Sequence, residues 1–213
     1  MNGFGLLAAF LVARNMRSGH SKSRGIGQGM FAAAIIGGIV GAKIPVWLSY
    51  GFSPEYFWDG KSLFGGLLGG FIAMNLYKYT WKITIGGFGD RFVIPLCVAT
   101  GFGKIGCFFN GCCGGREIGD SVYPTQLYES AFQFVLGAIF YYCFRNRIAI
   151  GLWFPIYMIS YMSMRFAMEF IRNEPVYAFH LTIYQNLAII FIPVFCAIVF
   201  NRRTHLAQSE HSA

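Results

Sequence analysis

The stretch RFVIPLCVATGFGKIGCFFNGCCGGRE (91–117) joins an apolar run to a glycine-rich, cationic segment. The apolar part, 92–109, is close to the length of a helix that crosses a bilayer, which takes about 20 residues. From residue 101 onward the stretch contains six glycines, three cysteines and an asparagine, together with Lys104 and Arg116. The pattern predicts a membrane-spanning helix that ends in a polar loop.

The composition of the whole chain supports a membrane protein. Of 213 residues, 55% are hydrophobic and only 12% are charged, which is far from the composition of an ordinary soluble domain. The net charge of +8 is spread between apolar runs and forms no basic face, so nucleic acid is not an expected partner. The sequence predicts an all-α, polytopic membrane protein with a single domain over 1–213. We find no complete phosphate-loop or dinucleotide motif and predict no cofactor and no metal.

The distribution of cations predicts the topology. Seven spans are expected with the N-terminus outside and the C-terminus cytoplasmic, because 11 of the 17 cations then lie in cytoplasmic segments. Those segments are the loops 14–27, 78–91 and 145–149 and a short tail, 202–213, and the only acids in them are Asp90 and Glu210. The predicted spans are 2–13, 28–49, 63–77, 92–109, 126–144, 150–171 and 183–201.

Several charged residues lie inside the outer halves of these spans, where a charge is costly unless it is paired or hydrated. They are Lys43, Lys104, Arg165, Glu129 and Glu169. On a helix, Arg165, Glu169 and Arg172 would share one face. Two interpretations are open: buried ion pairs that only fix helices together, or an outward-opening anion site. We favour the anion site because the cations outnumber the carboxylates. Glycines in 101–119 would then let backbone N–H groups approach the ligand.

Five motifs occur in an order that resembles the prolipoprotein diacylglyceryl transferases. GKIGCFFNGCCGGR (103–116) is similar to that family's signature Gly-Arg-x-Gly-Asn-Phe-x-Asn-Gly-Glu-x-x-Gly-Arg. The other stretches that resemble family motifs are GAK (41–43), SLFGGLLGG (62–70), YPTQLYES (123–130) and RFAMEFIR (165–172), and LTIYQ (181–185) lies where a glutamine motif opens the last span.

The resemblance implies a multi-pass enzyme of the bacterial inner membrane, with its active site on the outer side. The family moves the diacylglyceryl group of phosphatidylglycerol, or here of another anionic phospholipid, to the lipobox cysteine thiol of a prolipoprotein and releases glycerol phosphate. Positions that match the motifs give the expected catalytic residues Arg165, Glu169, Asn110 and Lys104. The expected substrate-binding residues are Arg116, Arg172, Gln126, Tyr128, Glu129, Lys43, Gly65, Gly66 and Gln185.

The chain departs from the family pattern at five positions in or near the expected site. Phe64 replaces a histidine often assigned as the base, Lys104 replaces an arginine, and Tyr123 replaces another histidine. Cys107 and Cys112 replace an asparagine and a glutamate. These departures leave two alternatives to the lipobox acceptor: a relative that serves a different acceptor, or a non-catalytic protein that binds or transports phospholipid.

The loop cysteines have three interpretations. Cys107, Cys112 and Cys113 could pack as small side chains, form a disulfide, or supply a thiolate that acts as base or nucleophile near the cations. On the last interpretation Cys112 and Cys113 join the expected catalytic residues. The spacing is not a recognised zinc motif, so a zinc ion would need ligands from elsewhere.

Overall fold

The computed structural model describes residues 24–51, 62–83, 87–118, 121–172, 174–176 and 179–211. Within these ranges the chain forms six α-helices, which confirms the predicted fold class, and one very short β-ribbon. The helices are α1 (Arg24–Tyr50), α2 (Leu63–Thr80), α3 (Asp90–Phe109), α4 (Thr125–Arg145), α5 (Trp153–Met168) and α6 (Ile183–His211). A 3-10 turn (Glu169–Ile171) follows α5. The ribbon pairs β1 (Glu117–Ile118) antiparallel with β2 (Ser121–Val122), Glu117 opposite Val122.

Three helices in the described ranges are long and apolar enough to cross a membrane: Ile26–Ser49, Asp90–Phe109 and Ile183–Thr204. The protein is therefore a membrane protein. The predicted spans 63–77 and 126–144 lie within α2 and α4, and the predicted span 150–171 contains α5 and the 3-10 turn. These three helices are not among those that are long and apolar enough to cross a membrane. The predicted span 2–13 lies outside the described residues. Seven spans, and the side on which each terminus lies, remain predictions.

The chain divides into two compact units. The first, the charged unit, consists of 1–17, 86–173 and 188–213, and the second, the helix-pair unit, consists of 18–85 and 174–187. The single domain expected over 1–213 remains a prediction.

The helix-pair unit is built on close contact between α1 and α2. A Cβ atom added to Gly41 would collide with the carbonyl oxygen of Gly65, and one added to Gly69 would collide with that of Gly37. Gly37 with Gly41, and Gly65 with Gly69, are each four residues apart, the small-xxx-small spacing that lets membrane helices approach closely. Large apolar side chains such as Ile36 and Ile39, each 64% exposed, lie elsewhere on α1 and suit contact with lipid.

One end of the charged unit is held by Asp90, which the sequence placed in a cytoplasmic loop. The loop assignment was wrong, because Asp90 is the first residue of α3 and is buried, whereas its cytoplasmic location stays a prediction. Its carboxylate accepts hydrogen bonds from the backbone N–H groups of Gly151, at 2.5 Å, and Phe154, at 3.1 Å. The anion therefore lies at the N-terminus of α5, where the helix dipole stabilises a negative charge.

The predicted tail, 202–213, begins as part of a helix. Helix α6 continues from the apolar span to His211, and the cytoplasmic location of the tail stays a prediction. Arg202 is engaged at the same end of the charged unit as Asp90, because its Nη1 donates to the Gly151 carbonyl oxygen at 2.6 Å. This contact ties the C-terminal helix to the connection between α4 and α5.

Candidate active site

A single buried carboxylate, Glu129 in the first turns of α4, organises the candidate site. Its side chain is 1% exposed. The Lys104 ammonium from α3 lies 2.5 Å from Oε2, and the Arg165 guanidinium from α5 lies 3.2 Å from Oε1. Arg172 reaches the same Oε1 at 3.4 Å. The family resemblance gave Glu129 a role in substrate binding, which stays a prediction, and the structure places its carboxylate among three cations.

A second carboxylate completes the group. Glu169 Oε1 lies 2.7 Å from Arg165 Nη2, so Arg165 is held between two acids. Arg165 and Glu169 are four residues apart, as the helix spacing predicted. The group, called the Glu129 cluster below, consists of Glu129, Lys104, Arg165, Arg172 and Glu169.

Arg172 does not continue the helical face that the sequence predicted for it. Helix α5 ends at Met168, the chain makes a 3-10 turn, and Arg172 is extended, with φ −101° and ψ 158°. The prediction of a shared helix face is therefore wrong for this residue. Arg172 nevertheless reaches the cluster, because the turn redirects its side chain toward Glu129.

The Glu129 cluster retains positive charge. It contains three cations and two carboxylates, a net charge of +1, and Arg116 beside it raises the total to +2. Arg116 is exposed, and its Nε donates to the Arg172 carbonyl oxygen at 3.3 Å. Lys104 is 17% exposed, against 9% or less for the two cluster arginines. The ion pairs of the first interpretation join α3, α4 and α5, and an excess of positive charge remains, while the anion site stays a prediction.

The glycine-rich loop ends α3 in a Schellman motif. Gly111, at φ +65°, is the left-handed residue after Asn110, and the N–H groups of Gly111 and Cys112 donate to the carbonyl oxygens of Phe108 and Cys107, both at 3.1 Å. This pair of bonds defines the motif. The prediction that the loop's N–H groups are directed at a ligand is wrong for these residues, because the helix end uses them.

Close packing explains two other loop glycines. A Cβ atom on Gly115 would lie 2.6 Å from the Ile171 carbonyl oxygen and 2.7 Å from Tyr123 Cβ. On Gly114 it would lie 2.7 Å from Val122 Cγ1. These glycines let the loop lie against its neighbours in the charged unit.

Polar side chains of the charged unit fasten the loop. Gln126 Nε2 donates to the Cys112 carbonyl oxygen at 2.7 Å. Thr125 Oγ1 and Arg172 Nη1 donate to the Cys113 carbonyl oxygen at 3.0 and 3.1 Å. The loop is thus connected directly to the Glu129 cluster through Arg172.

Two expected site residues remain accessible next to this loop. Asn110 is the exposed C-cap residue of α3, and Tyr128, one residue before Glu129, is 50% exposed. Both side chains are therefore free of the packing that encloses the cluster arginines.

The three loop cysteines are free thiols in the structure. Cys107 is half-buried, whereas Cys112 and Cys113 are exposed. Their Sγ atoms all lie within 4.8 Å of one another. Of the three interpretations of these cysteines, the disulfide is not formed in this structure, and packing and a reactive thiolate stay predictions.

Comparison with known proteins identifies the family. The model of the family described as prolipoprotein diacylglyceryl transferase matches residues 1–201. The chain belongs to this family. One relative is the phosphatidylglycerol–prolipoprotein diacylglyceryl transferase 2 of Clostridium perfringens, which is 30% identical over 82% of this chain and 78% of its own length. The phosphatidylglycerol–prolipoprotein diacylglyceryl transferase of Clostridium tetani is 31% identical over 82% and 80%. The sequence prediction of a membrane transferase of this family is confirmed.

The remaining family-motif residues lie in the helix-pair unit. Gly65 and Gly66 belong to the α1–α2 contact: a Cβ on Gly65 would lie 2.6 Å from Pro45 Cδ, and one on Gly66 would make ordinary contacts at 3.4 Å. Lys43 is half-buried on α1. Phe64, at the position of the family histidine, is 1% exposed and packs edge-on against Tyr184 with ring centroids 6.1 Å apart. This position of the prolipoprotein diacylglyceryl transferase pattern therefore holds an apolar packing contact in this chain.

Gln185 of the family's last motif forms a capping box. Its Oε1 accepts the Thr182 N–H at 3.1 Å, and its own N–H donates to Thr182 Oγ1 at 3.3 Å. This reciprocal pair satisfies donors at the start of α6. The structure thus gives Gln185 a structural contact, and its predicted role in substrate binding remains a prediction.

Sequence reasoning missed two buried polar residues on α4. Ser130 Oγ donates to the Gly101 carbonyl oxygen at 3.0 Å, and Gln133 Oε1 lies 3.5 Å from the Tyr157 hydroxyl. With Gln126 and Glu129 they follow a helical spacing of three and four residues, which places them on one face. That polar stripe within an apolar span was the available signal.

Proposed function

We propose that this protein transfers the diacylglyceryl group of an anionic phospholipid, phosphatidylglycerol, to the cysteine thiol of a prolipoprotein lipobox and releases glycerol phosphate. The observation that carries the proposal is the net positive Glu129 cluster in a member of this family. The named relatives supply the donor and the acceptor, and the cluster supplies the chemistry that such a reaction needs.

The reaction increases the negative charge of the phosphate. A phosphodiester carries one negative charge, and the glycerol phosphate that leaves gains a second oxygen anion as the C–O bond breaks. Fixed cations that face this oxygen stabilise the transition state more than the ground state. We assign the direct phosphate contact to Lys104, the most exposed cation of the cluster, with Arg116 and Asn110 beside it.

The carboxylates have a positioning role in this proposal. Glu129 and Glu169 hold Arg165 from both sides, at 3.2 and 2.7 Å. A guanidinium fixed in this way contributes positive potential without having to reorganise when charge develops. The wall of the site, where the glycine-rich loop meets α4, is then formed by Gln126, Arg172 and Tyr128.

We place the site on the outer side of the bacterial inner membrane. Along α3, Lys104 lies about 21 Å from Asp90, at about 1.5 Å per residue. Asp90, Gly151 and Arg202 meet at the start of α3, next to the predicted cytoplasmic segments 78–91 and 145–149. The positive-inside distribution of cations puts that end in the cytoplasm and therefore puts Lys104 near the opposite face.

The test uses purified protein in micelles that contain phosphatidylglycerol, with a lipobox peptide as acceptor. Glycerol phosphate release and the peptide mass are followed together, and both are expected to change. Glycerol phosphate without a peptide adduct would replace the lipobox acceptor by another acceptor or by water. A folded protein that binds phosphatidylglycerol and yields neither product would overturn the transferase proposal in favour of phospholipid binding.

Variants of Lys104 test its assignment. Lys104→Ala is expected to lower the transfer rate by about 100-fold, the usual effect of removing one transition-state donor. Lys104→Arg keeps the charge and restores the residue of the family signature, so it should retain most activity. Arg203→Ala, an exposed cation on α6, is the matched control for loss of one positive charge. Equal rates for Lys104→Ala and the control would remove Lys104 from the site.

A further inference from the structure

We propose that Cys107, Cys112 and Cys113 form a three-thiolate site for a thiophilic divalent metal ion of the zinc class. The remaining coordination position of this ion takes an external thiol. The second part rests on the proposed function, because the external thiol is then the acceptor cysteine.

The helix end itself brings the first two thiols together. In a Schellman motif the residue two places after the C-cap lies against the residue three places before it. Here those residues are Cys112 and Cys107, and Cys112 Sγ lies 3.6 Å from the Cys107 carbonyl oxygen. The motif by itself explains a contact between two small side chains, so a site needs more than this pair.

The third thiol requires a conformation that the motif does not demand. Cys113 has φ +63°, in the left-handed region, which is unfavourable for a non-glycine residue. Thr125 and Arg172 hold its carbonyl oxygen, which fixes the residue in this position. As a result its thiol is exposed next to the other two, with every Sγ within 4.8 Å of the others. Strained backbone of this kind is retained where the surrounding contacts over-determine it, often at functional sites.

The distances suit a bound ion. Thiolates on a tetrahedral zinc ion at about 2.3 Å are about 3.8 Å apart. The three Sγ atoms, all within 4.8 Å of one another, are therefore within about 1 Å of this spacing. Sulfur donors select thiophilic ions such as zinc over magnesium and calcium, which prefer oxygen.

The local charge complements that of a metal-loaded site. Three thiolates and one divalent cation have a net charge of −1. Lys104 lies one helical turn before Cys107 on α3, and Arg172 donates to the Cys113 carbonyl oxygen. The excess positive charge of the Glu129 cluster therefore faces the negative charge of a metal-loaded cysteine site.

Among the described residues, the three cysteines are the possible metal ligands of this group. A tetrahedral ion bound by three thiolates has one coordination position open. A thiol that binds there loses its proton to solvent.

In the transfer step, this sulfur supplies the electron pair for a new S–C bond to the glyceryl carbon. The C–O bond breaks with its pair on the oxygen of glycerol phosphate, next to Lys104. No protein base is needed in this step, which fits the presence of Phe64 where the family has a histidine.

The test uses the reduced, metal-free, full-length protein in phosphatidylglycerol micelles, titrated with Co²⁺ as a spectroscopic substitute for zinc. One equivalent is expected to give thiolate-to-cobalt charge-transfer absorption and intense visible bands of tetrahedral cobalt, which zinc then removes by displacement. The variant Cys107→Ser/Cys112→Ser/Cys113→Ser should lose both signals. Cys196→Ser, an exposed thiol on α6, is the matched control and should keep them.

The second measurement adds lipobox peptides to the cobalt-loaded protein. A peptide with cysteine should increase the charge-transfer absorption, and the same peptide with serine should not. Co²⁺ that gives no charge-transfer absorption, or equal absorption in the triple variant, overturns the metal site.

The two proposals fail in distinguishable ways. A cobalt spectrum that does not respond to the cysteine peptide overturns the role of the open position and leaves the metal site established. Transfer by the triple variant at the wild-type rate overturns the metal's part in the reaction while the proposed function stands. A spectrum that responds to the cysteine peptide, in a protein that releases no glycerol phosphate, supports the site and overturns the proposed function.

Discussion

The α1–α2 contact and the Glu129 cluster both consist of family-motif residues, and they are stabilised in opposite ways. In the helix pair, Gly41 and Gly65 are so close that neither tolerates a Cβ atom. In the cluster, long charged side chains are buried and stabilised by one another. A motif match alone does not separate residues that pack from residues that act on a substrate. The contacts that each residue makes in the structure separate the two kinds.

The stability of each region depends on a different physical condition. Two helices that meet on glycines gain van der Waals contact because their backbones approach closely, and a larger side chain removes that gain. A buried group of charges depends on balance, because one missing partner leaves an uncompensated charge in a low dielectric. Three changes test this contrast, from the largest expected effect to the smallest.

Removal of the central carboxylate should have the largest effect. Glu129→Ala leaves three cations without their common partner, and we expect a loss of about 3–5 kcal/mol in unfolding free energy. Glu117→Ala, which removes an exposed carboxylate from β1, is the control and should change stability little. Denaturant unfolding in detergent measures both variants. Equal stability of the two would show that the cluster cations do not depend on Glu129.

Two alanine substitutions in one helix test the packing region. Gly69→Ala places its Cβ against the Gly37 carbonyl oxygen, so we expect a loss of about 2–3 kcal/mol. Gly66→Ala meets only an ordinary contact at 3.4 Å and should be neutral or slightly stabilising, since alanine favours a helix. Thermal unfolding compares the pair. Equal stability of the two variants would contradict close packing at Gly69. Loss of transfer activity by Gly66→Ala at unchanged stability would support the predicted substrate contact of Gly66.

The smallest effect is expected at the capping box of α6. Gln185→Ala removes the acceptor for the Thr182 N–H and should cost about 1 kcal/mol. Gln185→Glu preserves that acceptor and should restore most of the stability. The unfolding midpoint and the transfer rate are measured on the same samples. Activity lost from Gln185→Glu at unchanged stability would show that the amide acts on the substrate.

The sequence predicted most helices, but it did not predict that α5 ends before Arg172. The apolar runs 28–49, 92–109, 126–144 and 183–201 all lie within observed helices, because hydropathy over about 20 residues reflects local composition. The predicted helix face of Arg172 failed although a local signal was present. Pro175 follows three residues later, and proline disfavours helical conformation in the residue before it, which favours a helix end in this region.

Long-range pairing could not be read in the same way. Asp90 looked like an ordinary loop acid because its partners, Gly151 and Phe154, are about 60 residues further along the chain. Glu129 looked like one of two equivalent carboxylates, and only its contacts with three cations from different segments show that it is the central one.

By itself, the sequence determined that the protein is a helical membrane protein, which family it belongs to, and which residue types are available for its chemistry. Those properties follow from composition, hydropathy and short motifs, all of which act over a few neighbouring residues. The tertiary structure decided which charged side chains form ion pairs and how much positive charge is left unbalanced in the Glu129 cluster. It also decided that the thiols of Cys107, Cys112 and Cys113 lie next to one another. Ion pairs such as Arg165 with Glu129 join residues 36 positions apart, and helix packing brings them together.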